Sequence, residues 1–185
     1  MRYTLPTSVD VGGEEYEIRA DYRAALDIIA ALSDFELSEQ ERIIAALDIF
    51  YPAFDTMPIE HYQEAIDVCC DFLSCGEQQT NGNKKAVKLM DWEQDFNYIA
   101  SAVNKVLGRE IRAPEFLHWW SFISAYYEIG DCLFAQIVSI RDKKAHGKKL
   151  DKAEQEWYRK NRDIVDIKRH YTAAETEALA KLGIK

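Results

Sequence analysis

Apolar positions along this chain fall into two periods. Near the N-terminus they alternate: Val9 and Val11, then Tyr16 and Ile18, with polar residues between them. That is the period-two pattern of half-buried strands, and Gly12-Gly13 between the runs supplies the positive φ of a tight turn, predicting a hairpin over residues 8–19. From residue 21 onward the period becomes helical. Tyr22, Ala25, Leu26 and Ile29 mark a helix over 21–32. Ser38 with Glu41 forms a capping box opening a second helix, with Ile43, Ile44, Leu47 and Phe50 inward and Pro52 as its stop. Pro58 introduces a third, with Ile59, Tyr62, Ile66, Cys69 and Leu73 on one face.

The periodicity lapses over residues 75–88, where Gln78-Gln-Thr-Asn-Gly-Asn83 has turn chemistry. It resumes at Asp91, an N-cap for a helix running to Leu107 and closed by Gly108, with Trp92, Phe96, Ile99, Val103 and Val106 as its stripe. Pro114 is placed to open an aromatic helix bearing Trp119, Trp120, Phe122, Tyr126 and Tyr127, apolar nearly all round, as expected of a helix buried on most sides or covered by a partner. Further helices are expected over 130–141 and 150–165, and Thr172 with Glu175 forms a second capping box for a short helix stopping at Gly183. The expectation is a mainly α protein of six to eight helices with a short N-terminal β-hairpin, folded as a single domain over 1–185. A subdomain break is expected at 76–90, dividing an acidic part (1–75) from an aromatic and basic helical part (91–185).

Composition sharpens this. The 185 residues are 48% hydrophobic and 30% charged, as in soluble globular proteins, and the 8 glycines and 4 prolines favour helices. The net charge of −9 is unevenly spread: residues 1–80 hold 4 basic and 17 acidic residues, residues 81–185 hold 19 and 15. Such asymmetry suits oppositely charged partners or two halves that attract each other. No signal-peptide core and no run long enough to span a bilayer is present, so a cytosolic protein without membrane contact is expected. Cys69, Cys70, Cys75 and Cys132 lack a zinc spacing and read as free thiols.

Candidate chemistry is sparse. Asp91 and Asp95 share a helical face, but acids in a first turn serve the helix dipole before they serve a metal. His118 beside Trp119 reads as a packed side chain. No phosphate-cradling glycine motif and no local nucleophile signature occurs. The basic stretch from Arg141 through Lys143, Lys144, Lys148 and Lys149 to Arg162 could touch phosphates, with Trp157 and Tyr158 stacking on bases. Interleaved acids make it read first as a salt-bridged face or a protein contact. No catalytic residue, metal or cofactor is expected.

The blocks His118-Trp-Trp-Ser-Phe122, Phe134-Ala-Gln-Ile-Val-Ser-Ile-Arg141, Lys143-Lys144 and Glu154-Gln-Glu-Trp-Tyr-Arg-Lys-Asn161, with Asp91-Trp-Glu-Gln-Asp-Phe96 upstream, resemble the bacteriophage gene-product-fifteen (Gp15) family. These are proteins of about this length from siphophages and prophages of Gram-positive bacteria. Their genes tend to lie between those of the major tail protein and the tape-measure protein. The resemblance implies a non-enzymatic tail assembly chaperone in the cytoplasm of the bacterial host. Its partner would be the tape-measure protein, with the major tail protein as a second partner and self-association as in other assembly chaperones. A structural tail or connector component is the alternative, and a nucleic-acid-binding phage protein the second. Aromatic and basic side chains dominate binding hot spots. The candidate partner-binding residues are therefore Trp119, Trp120, Tyr127, Arg141, Lys144, Trp157 and Tyr158, with Trp120, Tyr127 and Trp157 expected to be exposed or interfacial.

Overall fold

The computed structural model describes residues 4–76, 87–168 and 181. The expected capping box at Thr172 and the whole Gln78–Asn83 turn lie outside them. The described chain is mainly α, with eight α-helices and one two-stranded antiparallel hairpin. It divides into two compact units: residues 4–76 with Phe116–Ser121, and residues 87–115 with 122–168.

The first unit begins with β1 (Ser8–Val11) and β2 (Glu14–Glu17), paired Val9 to Tyr16 and Val11 to Glu14. Gly12 and Gly13 have φ of 62° and 79°, as a mirror-image turn requires. Gly12 has a second reason to be glycine, because a Cβ there would meet the His61 ring at 2.3 Å. Helix α1 (Tyr22–Ser33) is capped by Asp21, and α2 (Glu39–Phe50) opens with the expected Ser38–Glu41 capping box. Two 3-10 turns, Phe54–Thr56 and Ile59–His61, lead into α3 (Tyr62–Leu73). Val11, Tyr22, Ile28, Leu47, Phe50, Tyr51, Cys69 and Phe72 form the buried interior. Two positions expected inward are not. Ile59 is 78% exposed because Pro58 is followed by the 3-10 turn rather than by α3, and Ile44 lies on the outer side of α2.

The second unit holds α4 (Trp92–Leu107), α6 (Leu133–Ala145), α7 (Lys152–Lys160) and α8 (Arg162–Val165). Asp91 caps α4 and Gly108 closes it in the left-handed conformation, as expected. Helix α6 is capped by the Cys132 side chain. The helix expected over 150–165 is two: Asn161 leaves helical geometry, and its side-chain amide donates to the Trp157 carbonyl. A capping box at Asp151–Glu154 fixes the start of α7.

Helix α5 (Trp119–Tyr127) starts five residues later than Pro114 suggests. Leu117 and His118 are instead extended: Leu117 carbonyl accepts from Tyr22 N–H, Trp119 N–H donates to Ala20 carbonyl, and Asp21 bridges to His118. The Asp21 carboxylate caps α1 and also accepts from Leu117 N–H at 2.8 Å. Residues near 111 are set by a polar knot in which the Asn104 amide accepts from Ile111 N–H and donates to Glu110.

Candidate partner-binding site

Within the first unit the aromatic run is tied down by its own polar tips. Trp119 is 2% exposed, and its indole N–H donates to the Leu73 carbonyl at 3.0 Å. Trp120 is half-buried, donates to the Phe72 carbonyl at 2.9 Å and stacks on the Phe72 ring. Both indoles thereby donate to carbonyls in the last turn of α3, the Phe72 carbonyl also accepting from Cys75 N–H. His118 is buried. Its Nδ1 accepts from Trp120 N–H, so its Nε2 carries the proton given to the Pro6 carbonyl. Its place is that of a packed side chain.

Within the second unit, Arg141 is 6% exposed and its partner Asp95 fully buried. The guanidinium meets Asp95 through both terminal nitrogens, at 2.5 and 3.0 Å. It also donates to the carbonyls of Val165, Leu89 and Ile164. All five of its N–H groups are thus matched, and Asp91 N–H gives Asp95 a further bond. The acid pair read as first-turn dipole residues divides: Asp91 caps α4, while Asp95 is the buried counter-ion of Arg141. Sequence reasoning missed this pair, since a residue spacing of 46 carries no local signal.

The basic stretch is largely spent on neighbouring carboxylates. Lys143 pairs with Glu154, Lys144 with Asp166, Lys148 with Asp142, Lys160 with Glu156 and Arg162 with Asp166. Lys144 also bonds the Tyr158 hydroxyl and lies 3.9 Å from its ring centroid. The bond from Lys143 and the Asp151 N–H holds the Glu154 carboxyl below its usual range. Burial alone would raise Asp166, but hydrogen bonds from Lys144, Arg162 and Tyr158 outweigh it and lower it. Trp157 and Tyr158 are half-buried against Ile137, Ile140 and Val165. These pairs lie at the surface, with Lys148, Lys160 and Arg162 themselves largely exposed, so they lower the net positive charge of the stretch without burying it.

Tyr127, at the end of α5, differs from the rest: it is 70% exposed, and among the described residues its ring meets that of Tyr126. Beside it in sequence, Glu128 to Cys132 line an open cleft whose opposite wall is Ala102, Lys105 and Val106 of α4. Val106 and Leu133 are themselves exposed. Of the seven candidate residues, then, Trp119 and Arg141 are interior; Trp120, Trp157 and Tyr158 are half-buried and internally bonded or packed; Lys144 and Tyr127 are exposed. Trp119 and Trp120 belong to the first unit and the other five to the second. The cleft residues Val106 and Ile129 were not singled out from the sequence, and the only signal available was Val106 sitting at the end of the α4 stripe.

Among the described residues no His, Cys, Asp or Glu group is arranged to hold a metal ion, and no helix is long and apolar enough to cross a membrane. The Cys69 thiol is pushed up to about 12 by burial. No curated protein and no solved structure matches the chain. The family described as Bacteriophage Gp15 protein matches residues 1–167, so the chain belongs to that family, a phage structural or morphogenesis family and not a known enzyme family.

Proposed function

We infer that this protein is a tail assembly chaperone that binds the tape-measure protein through an apolar, aromatic surface of its second unit. The observation that carries the reading is the exposed Tyr127 beside the open cleft of Ala102, Val106 and Ile129. A largely exposed tyrosine loses little conformational freedom on binding and contributes both an apolar ring and a hydroxyl. A cleft between the end of one helix and the start of another suits the apolar face of a partner helix, the mode in which an elongated helical protein is held. Lys105, Glu128 and Asp131 around the cleft supply a charged rim of both signs.

Family membership supports the phage setting, and the pairing of Lys143, Lys144, Lys148, Lys160 and Arg162 with neighbouring carboxylates favours a protein partner over nucleic acid. The test is co-expression with the tape-measure protein encoded by the same phage or prophage, followed by affinity capture and a solubility assay. Co-purification with a more soluble tape measure is expected. Absence of association, together with this chain in purified virions by mass spectrometry, overturns the chaperone reading in favour of a structural tail component.

A further inference from the structure

Among the described residues, no backbone group pairs with the outer edge of β1 at Ser8 and Asp10. Ile18 N–H donates to the Thr7 carbonyl, which makes Thr7–Ile18 a hydrogen-bonded pair and, by alternation, Val9–Tyr16 and Val11–Glu14 as well. The backbone N–H groups of Ser8, Asp10 and Gly12 therefore point away from β2. Gly12 N–H is taken by the Glu64 carboxylate of α3 at 3.1 Å. Those of Ser8 and Asp10, and the carbonyls of the same residues, bond no described residue. Farther along, β1 and α3 part to form a groove lined by Pro6, Ser8, Asp10, Val68, Asp71 and Phe72, with a volume of about 340 Å³.

We propose that this edge is a β-augmentation site for an extended, basic segment of a partner protein. Two donors and two acceptors in alternate register are the complement of one added strand. Val68 and Phe72 offer an apolar floor for a side chain pointing inward, and Asp10 and Asp71 set the sign of charge at the rim. The α3 carboxylate on Gly12 N–H fills the third outward donor of the same row with an acceptor of this chain. The wider surface agrees in sign: residues 1–80 carry 17 acidic against 4 basic side chains. A second copy of this chain pairing through its own β1 would set Asp10 and its acidic neighbours against their equivalents, and like charges across a strand pair are destabilising. The site belongs to the first unit, shares no residue with the cleft of the second, and does not depend on what that cleft holds.

The test is titration of the full-length, ¹⁵N-labelled chain with a short blocked peptide alternating lysine and valine. Its two controls are the glutamate–valine counterpart and the lysine–valine peptide N-methylated on its backbone. The amide signals of Ser8 and Asp10 are expected to shift and their exchange to slow with the lysine peptide alone. The exposed-site variant Asp10→Lys with Asp71→Lys is expected to bind about tenfold more weakly while the remaining amide spectrum is unchanged. If that double variant unfolds, Asp71→Asn alone is read in the same way. Equal shifts with the N-methylated peptide, no shift at millimolar lysine peptide, or a dilution-dependent shift of these amides from self-pairing would each overturn the proposal.

Discussion

Arg141 is the side chain on which the second unit most depends. Its five donors hold Asp95 of α4, the Leu89 carbonyl before α4, and the Ile164 and Val165 carbonyls of α8. Removing it leaves Asp95 charged and buried, so Arg141→Ala is expected to cost about 3–5 kcal/mol in denaturant unfolding. Arg141→Lys should cost nearly as much, because an ammonium cannot reproduce the planar fork. A loss below 1 kcal/mol for either would contradict this account. Gly12 offers a second residue-scale test. Gly12→Ala meets the His61 ring and Gly13→Ala meets open space, while both sit at positive φ. Thermal unfolding should therefore separate them, Gly13→Ala losing about 1 kcal/mol and Gly12→Ala at least 1 kcal/mol more. Equal losses would show that the turn shifts away from His61. The need for glycine here was legible in the sequence; the His61 contact was not, because it joins residues that only the fold brings together.

Elements were legible where their signals are local. The hairpin, the Ser38 capping box, the Asp91 cap and the Gly108 stop all follow from neighbouring residues. Helix α5 was misplaced at its start because Pro114 suggested helix, while the extended pairing of Leu117 and His118 beside Ala20–Tyr22 is a long-range effect. The helix pair α7–α8 was read as one for the converse reason: its apolar spacing continues through Asn161, whose side chain breaks it. This arm has a testable pH dependence. Glu154 and Asp166 both lie below their ordinary values, near 4.5 and 3.8, because of the cations and hydroxyl that bond them. A depressed carboxylate stabilises fully above its unfolded-state pKa and loses that contribution as pH falls through the folded one. Amide exchange in α7 should therefore accelerate, relative to α4, below about pH 4 and not between pH 6 and 8. Acceleration already near pH 6 would point to another group.

At the scale of the whole molecule, the charge asymmetry of the sequence persists as an acidic first unit, while the second pairs several of its cations with its own carboxylates. The aromatic density that singled out the helix of Trp119, Trp120, Phe122, Tyr126 and Tyr127 divides between interior and surface. Trp119 and Phe122 are interior, Trp120 caps α3 with its indole, and Tyr127 reaches solvent. Composition could identify the run but not sort it, because the sorting depends on which carbonyls each indole reaches. Binding through Tyr127 should be separable from stability. Tyr127→Ser, at a 70% exposed site, is expected to leave the unfolding midpoint nearly unchanged while weakening partner capture about tenfold.

The most direct test of the central claim is therefore one pull-down, with this chain and the tape-measure protein co-expressed, comparing wild type with Tyr127→Ser at matched expression. The account predicts a soluble complex with the wild type and a markedly depleted one with the variant. Recovery of the tape-measure protein with neither would contradict it, and equal recovery with both would place the contact away from the Tyr127 cleft.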